Sequence, residues 1–405
     1  MHHFEEFSRK RLLRFIIYVV TILCSVAFLF FGNRLTSKDA AGVLSTTATI
    51  QPEKAAVNMI LDRNTESYDL GGTIIENVTI RFVARIASGA QQGSDVMVVQ
   101  SVDGYMPTGL KEVEVGDKVL VALNPDDPAA NTWMFVEYLR TDMLLVMGLI
   151  FALLLLLFGG IKGFNTLLSL AFTCSAVFLV FIPSILAGYN IYLSSVIICL
   201  FIIVMTLMII NGPNKKTLTA ILGCFGGVLL SGVIAVTMDS FLKLTGYTDE
   251  DSAFLALLET PTPIDLKAII FGAIIIGAMG AIMDVAMSIA SSLQEVSQEA
   301  KNPTFSTLLR SGFSIGRDMM GTMSNTLILA YIGSSLSVVL LLIVYSPSIL
   351  HLLNREMIIV EILQALVGSL GILFTIPFTS LLCAAMYSKK GRTPLTVLTD
   401  NNPKQ

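Results

Sequence analysis

Eight predominantly apolar runs set the pattern of the chain, at Phe15–Phe31, Met143–Leu157, Thr166–Leu186, Ile191–Ile210, Leu218–Met238, Lys267–Ser292, Met319–Tyr345 and Met357–Tyr387. About 20 helical residues cross the roughly 30 Å hydrocarbon core of a bilayer, so each run is read as a membrane helix. The second is short and ends at Phe158 and the Gly159-Gly160 pair. Between the first two runs, from Gly32 to Arg140, the pattern shifts to short alternations of apolar and polar residues broken by turn signals. The alternation predicts strands at Ser45–Ile50, Thr73–Ile86, Val96–Val102, Val113–Leu123 and Trp133–Tyr138, enough for a small barrel of oligonucleotide/oligosaccharide-binding type. The expected fold class is therefore membrane all-α: an eight-transmembrane-helix bundle with a small, barrel-like extracytoplasmic β-domain between helices 1 and 2. The domains are 1–31 (N-terminus and first helix), 32–141 (β-domain), 142–387 (seven-helix membrane domain) and 388–405 (polar tail). Ahead of the seventh run, Lys301–Ile315 is basic and amphipathic, as suits a helix lying at the membrane surface.

Composition agrees with that reading. The 405 residues are 54% hydrophobic and 14% charged, with a mean hydropathy of +0.75, whereas soluble domains carry about 25% charged residues. The net charge of −4 says less than its distribution. Arg9, Lys10, Arg11 and Arg14 precede the first run; Lys162, Lys215 and Lys216, Lys301–Arg317, and Lys389, Lys390 and Arg392 fall in alternate connections. The acidic segment Tyr247–Asp265 falls in one of the others. By the positive-inside rule, eight helices with both termini in the cytoplasm of a bacterial cell place every basic cluster in the cytoplasm and the acidic segment outside. The five cysteines all lie within apolar runs, without disulfide or metal-ligand spacing. The histidines, His2, His3 and His351, lie outside those runs, and no HExxH or GxSxG motif occurs. An enzyme is not expected, nor a cofactor, a metal or a nucleic-acid partner. The expected partners are the bilayer itself and a related membrane subunit or a second copy of the chain.

The sixth run carries a carboxylate, Asp284, well inside its apolar stretch. At helical spacing Gly277, Ala281, Asp284, Ser288, Ser291 and Glu295 share one stripe. A charge at mid-helix costs about 2.5–3.5 kcal/mol on insertion scales, so Asp284 is expected to face protein or water and to serve an ion pathway or a proton relay. On the seventh run Asp318, Gly321 and Asn325 share a face, with Arg317 and Asp318 at its inner end; Asn325 lies at nearly the depth of Asp284 and is expected to contact it. On the eighth, Glu361, Gln364, Gly368, Gly371, Thr375 and Thr379 form a third stripe, with Glu361 near the outer end. Gly277, Gly280, Gly321, Gly368 and Gly371, like Gly223, Gly226, Gly227, Ser231 and Gly232 on the fifth run, suit close packing of helices.

The segments Gly272–Val296, Gly316–Leu336 and Glu361–Ser380 resemble the signature regions of the YibE/F family of bacterial multi-pass membrane proteins, in a likeness that covers roughly Val113–Tyr387. The sixth-helix Asp, the basic segment after it and the following Ser-Asn-Thr helix more distantly resemble the fourth and fifth helices of SecD/SecF and related resistance-nodulation-division transporters. That second resemblance implies coupling of ion movement to work done outside the cytoplasm. The leading expectation is an ion-coupled transporter or export-associated motor, in which Asp284 binds a proton or cation. Ser288 and Asn325 line its site, Arg317 and Asp318 gate the inner mouth, and Glu361 with Gln364 serves the outer side. The alternative is a membrane scaffold or assembly factor whose β-domain binds a partner, with the polar intramembrane residues structural.

Overall fold

The computed structural model describes residues 2–46, 52–70, 73–89, 91–104, 111–124, 132–258, 260–300, 303–346 and 348–388. They form two bodies, residues 44–158 and residues 1–43 with 159–405.

The smaller body is a closed five-stranded barrel of β1 (Glu53–Leu70), β2 (Thr73–Ile86), β3 (Asp95–Val102), β4 (Lys118–Leu123) and β5 (Trp133–Tyr138). The order round the barrel is β1-β2-β3-β5-β4, and β3–β5 is the parallel pair. This is the Greek-key order of oligonucleotide/oligosaccharide-binding barrels. Every second residue points inward, giving a core of Val57, Ile80, Phe82, Val98, Val119 and Val121. Gln100 is fully buried, yet satisfied: its amide donates to the Lys111 carbonyl at 3.0 Å and accepts from Val113 N at 3.0 Å, fastening the segment before β4. On the surface, Arg85 pairs with Asp95 at 2.9 Å and Arg63 with Glu112 at 2.7 Å, and each guanidinium holds its carboxyl below the usual carboxylate range, chiefly by hydrogen bonding.

The strand expected at Ser45–Ile50 is not where β1 forms. Ser45 and Thr46 end helix α1 (His2–Thr46), residues 47–50 lie outside the described residues, and β1 begins at Glu53. It carries register shifts between Val57 and Met59 and between Ile60 and Asp62. Of its described side chains only Ala55 and Val57 point inward, and residues 58–69 are exposed on both faces, so no apolar alternation marks the rest of the strand. Phe82→Ala, which empties a fully buried site, is expected to cost the barrel about 3–5 kcal/mol. The chain's single tryptophan, Trp133, is 4% exposed in the same core, so its emission during denaturant unfolding reads the loss directly.

The larger body is helical. At its centre α5 (Lys215–Leu242), α7 (Leu266–Glu299) and α11 (Glu356–Tyr387) pack on one another, with α4 (Ile191–Asn211) against α7 and α8 (Phe305–Ser334) lying on α7 and α11. α1 joins through Phe28, stacked on Phe201 at 4.1 Å, and through the Tyr18 hydroxyl, which donates to Asn165 at 2.9 Å. Side-chain caps fix the helix starts: Asn190 for α4, Asn214 for α5, Asp265 for α7 and Thr304 for α8.

The runs Met143–Leu157 and Thr166–Leu186 are two helices that meet at a kink at Gly160, where the Gly159-Gly160 pair ends the first; α2 (Thr141–Ala176) spans both, and the second continues through a π turn (Val177–Phe181) into α3 (Ile182–Leu186), with Pro183 in its first turn. Gly160 alone leaves helical geometry inside α2 (φ 52°, ψ −128°), a conformation open to glycine, while Lys162 continues the helix. One expected boundary differs: the surface segment Lys301–Ile315, whose first two residues lie outside the described ones, and the seventh run are not separate. From Phe305 they form the single helix α8, which bends 63° at Ser335 into α9 (Leu336–Tyr345). The Ser334 and Ser335 hydroxyls both donate to the Tyr331 carbonyl, at 2.9 and 2.8 Å, which accounts for the bend. Among the described residues six helical stretches are long and apolar enough to cross a membrane, or seven if α8 and α9 count as one bent span. The short helices α6 (Glu250–Ala256) and α10 (Ile349–Leu353) lie in the connections.

Candidate functional site

Asp284 lies at the middle of α7, 18 residues from its first residue and 15 from its last. The neighbouring Ile282, Val285, Ala286 and Ile289 are fully buried against α5 and α11. Ala273, Gly277, Gly280 and Asp284 instead form one exposed stripe, with Ala281 and Ser288 half-buried at its edge. Asp284 joins no hydrogen bond or ion pair among the described residues. The carboxylate is thus neither sealed in the bundle nor neutralised by it. A Cβ built on Gly280 would meet nothing within 4 Å, so the stripe beside Asp284 is open.

α8 runs antiparallel beside this face. Gly312 packs at Leu293 and the Tyr331 hydroxyl at Gly277, so Asp284 falls level with positions near 322–323. Asn325 is within one turn of that depth, but it lies on the exposed side of α8 with Arg317, Asp318, Gly321 and Thr322, while Gly312, Gly316, Met323 and Leu327 face the bundle. Asp284 and Asn325, expected in contact, share no hydrogen bond. Depth follows from counting residues, whereas the direction of a side chain follows from which α8 face packs on α11, and that face is set by Gly312 and Gly316. Arg317 and Asp318 form no ion pair among the described residues.

At the outer end of the expected constellation, Glu361 is half-buried, and its Oε2 is sealed from solvent without a hydrogen-bond partner. Tyr331, outside the expected constellation, belongs with it. Its hydroxyl is also sealed and unpartnered, rests against Gly277, and lies within electrostatic reach of Glu361. Gln364 is half-buried one turn further along α11. A hint was present in the sequence: Tyr331 is 14 residues beyond Arg317 in the same run, a hydroxyl where the neighbours are apolar.

The glycines have distinct surroundings. A Cβ on Gly368 would fall 2.7 Å from Leu327 Cδ2, and one on Gly371 would strike the Ser231 hydroxyl; at Gly321 nothing lies within 4 Å. Along α5 and α11 small and hydroxyl residues interlock at steps of four, Gly223 with Thr379, Gly227 with Thr375 and Ser231 with Gly371. The glycines admit the facing side chains at backbone distance.

Two carboxylates and a phenol in a hydrophobic bundle suit the taking and releasing of a proton, or the brief holding of a monovalent cation. Among the described residues no group of three His, Cys, Asp or Glu side chains could hold a metal ion. The model of the family described as YibE/F-like protein matches residues 147–389, which takes in α7, α8 and α11 entirely. No curated protein and no solved structure matches the chain, so the more distant likeness to SecD/SecF finds no support there.

Proposed function

We propose that this chain, which belongs to the YibE/F-like family and is a membrane protein, is an ion-coupled transporter or export-associated motor of a bacterial cytoplasmic membrane. One observation carries the reading: Asp284 sits at mid-span on an exposed stripe of small residues, unpaired by anything the bundle provides. A carboxylate held bare against lipid would be costly, so the stripe serves as a wetted route, with Asp284 as its ion-binding station. Glu361 and Tyr331 form a second station toward the other face. Ser288 lies beside the first, and Arg317 and Asp318 stand at the inner mouth. Asn325 lies on the exposed side of α8 and shares no hydrogen bond with Asp284, so the site is assigned without it. In this reading the chain crosses eight times, reversing at Gly160 within the 46-residue stretch Thr141–Leu186, which at 1.5 Å per residue is about twice the hydrocarbon thickness. Both termini are cytoplasmic, the barrel is outside, and the protein is not an enzyme.

The test is flux. Purified protein in proteoliposomes is expected to move protons or sodium ions under an imposed gradient, above the leak of protein-free vesicles. If neither ion moves faster than in empty vesicles, the reading fails. The scaffold reading rests on a separate observation in the barrel, where Met59, Val83 and Met97 align in register across the outer face of β1, β2 and β3, with Met59 and Met97 about half exposed. An apolar row of that kind suits a protein partner.

A further inference from the structure

A cavity of about 670 Å³ opens on the side of the larger body, between α1, α2, the α4–α5 turn and Gln294 of α7. Its walls are of two kinds. Arg14 and Lys216 bring positive charge and Asn165 and Asn211 bring amides, whereas Phe15, Ile161 and Phe164 are apolar and, in each case, more than half exposed. Among the described residues no acidic side chain lines it. Neither cation joins an ion pair among the described residues, and Lys216 donates to the Ser291 hydroxyl at 3.2 Å.

Depth decides what such a cavity can hold. Arg14 immediately precedes the first apolar run, and Gly212-Pro213-Asn214 is the turn joining two spans, α4 and α5. The cavity therefore lies where hydrocarbon gives way to headgroups. Its polar end faces the water side and its exposed phenylalanines face the chains, the arrangement of an amphiphile. The walls are held in place, since the Tyr18 hydroxyl donates to Asn165 Oδ1 at 2.9 Å and Asn165 Nδ2 donates to the Ile209 carbonyl at 3.1 Å. We propose that this cavity binds the phosphate headgroup of an anionic phospholipid, with Arg14 and Lys216 as its phosphate ligands and Phe15 and Phe164 against the proximal part of the acyl chains.

The experiment uses the full chain in neutral detergent, with lipid occupancy read by native mass spectrometry and melting temperature in parallel. Phosphatidylglycerol is expected to bind at least about tenfold more tightly than phosphatidylcholine and to raise the melting temperature. Arg14→Gln with Lys216→Gln removes that preference, while Lys162→Gln, a basic change outside the cavity, keeps it. Inorganic phosphate at millimolar concentration gives no shift. Equal binding of the two lipids, or an unchanged preference in the double variant, overturns the proposal, and a response to inorganic phosphate alone reassigns the site to a soluble anion. Should the double variant not fold, a photoactivatable phosphatidylglycerol on the wild type decides the matter: crosslinks at residues 14–18, 161–165 and 211–216 support the site, and crosslinks elsewhere refute it.

Discussion

Gly227→Ala lowers the stability of the helical body by about 1–3 kcal/mol, and adding Thr375→Ala restores most of the loss. The expectation follows from what one methyl group would meet. A Cβ on Gly227 runs into the Thr375 hydroxyl, with the Gly371 carbonyl at 3.2 Å and Ile282 Cγ2 at 3.3 Å close behind. Overpacking of this size forces helices apart or side chains off their rotamers. Thr375 cannot turn away freely, because its hydroxyl donates to the Gly371 carbonyl of its own helix at 2.7 Å. Losing that bond alone is cheap, as the carbonyl keeps its helical partner. The two substitutions should therefore be strongly non-additive, with a coupling of at least about 1 kcal/mol in a double-mutant cycle. Recovery stays incomplete because the Gly371 carbonyl and Ile282 remain. Thermal melts in detergent of the wild type, both single variants and the double variant measure the cycle, and additive losses would show that the α5–α11 contact is not the interlock described. Gly280→Ala is the internal control, since its Cβ enters open space.

The same interlock shows what the sequence made legible. Small residues at steps of four on two apolar runs announce close helix packing, because at membrane depth backbone approach requires the absence of a side chain. Which run meets which depends on long-range pairing. The β1 strand was hidden for a different reason: residues 58–69 are exposed on both faces and so carry no apolar alternation, and Asp62, Arg63, Asn64 and Glu66 in its distal half have poor strand propensity, so the pairing with β2 must carry it. Lys162 reads as a loop residue because charge usually marks a membrane boundary; the boundary is there, at the Gly160 kink, but Lys162 itself is helical, at the start of the second helix. For the candidate site, position along each helix could be counted and proved informative for Asp284 and Glu361. Azimuth could not be counted: the Asn325 amide points out from α8, while the Tyr331 phenol reaches Gly277.

Asp284→Asn is expected to abolish gradient-driven ion movement while leaving the melting temperature within about 2 °C of the wild type. Asparagine keeps the volume and the polar contacts of aspartate but cannot take up and release a proton, nor offer a cation a full negative charge. Stability should hold because the substitution removes no partner: Asp284 makes no hydrogen bond or ion pair with the described residues, and its stripe is open at Gly280. The neutral amide is even easier to place at mid-span, where an ionised carboxylate costs about 2.5–3.5 kcal/mol on insertion scales. Flux and stability together separate the two readings. Where the polar residues only hold helices together, Asp284→Asn changes the melting temperature and does nothing specific to ion movement. Asp284→Glu refines the comparison, since it retains the charge but displaces it by one methylene, so it should keep a measurable fraction of the flux. Tyr331→Phe should lower the rate without abolishing it, because the hydroxyl lies within electrostatic reach of Glu361, the proposed second station, and not of Asp284. Wild-type flux from Asp284→Asn would remove the carboxylate from the mechanism, whatever the other variants do.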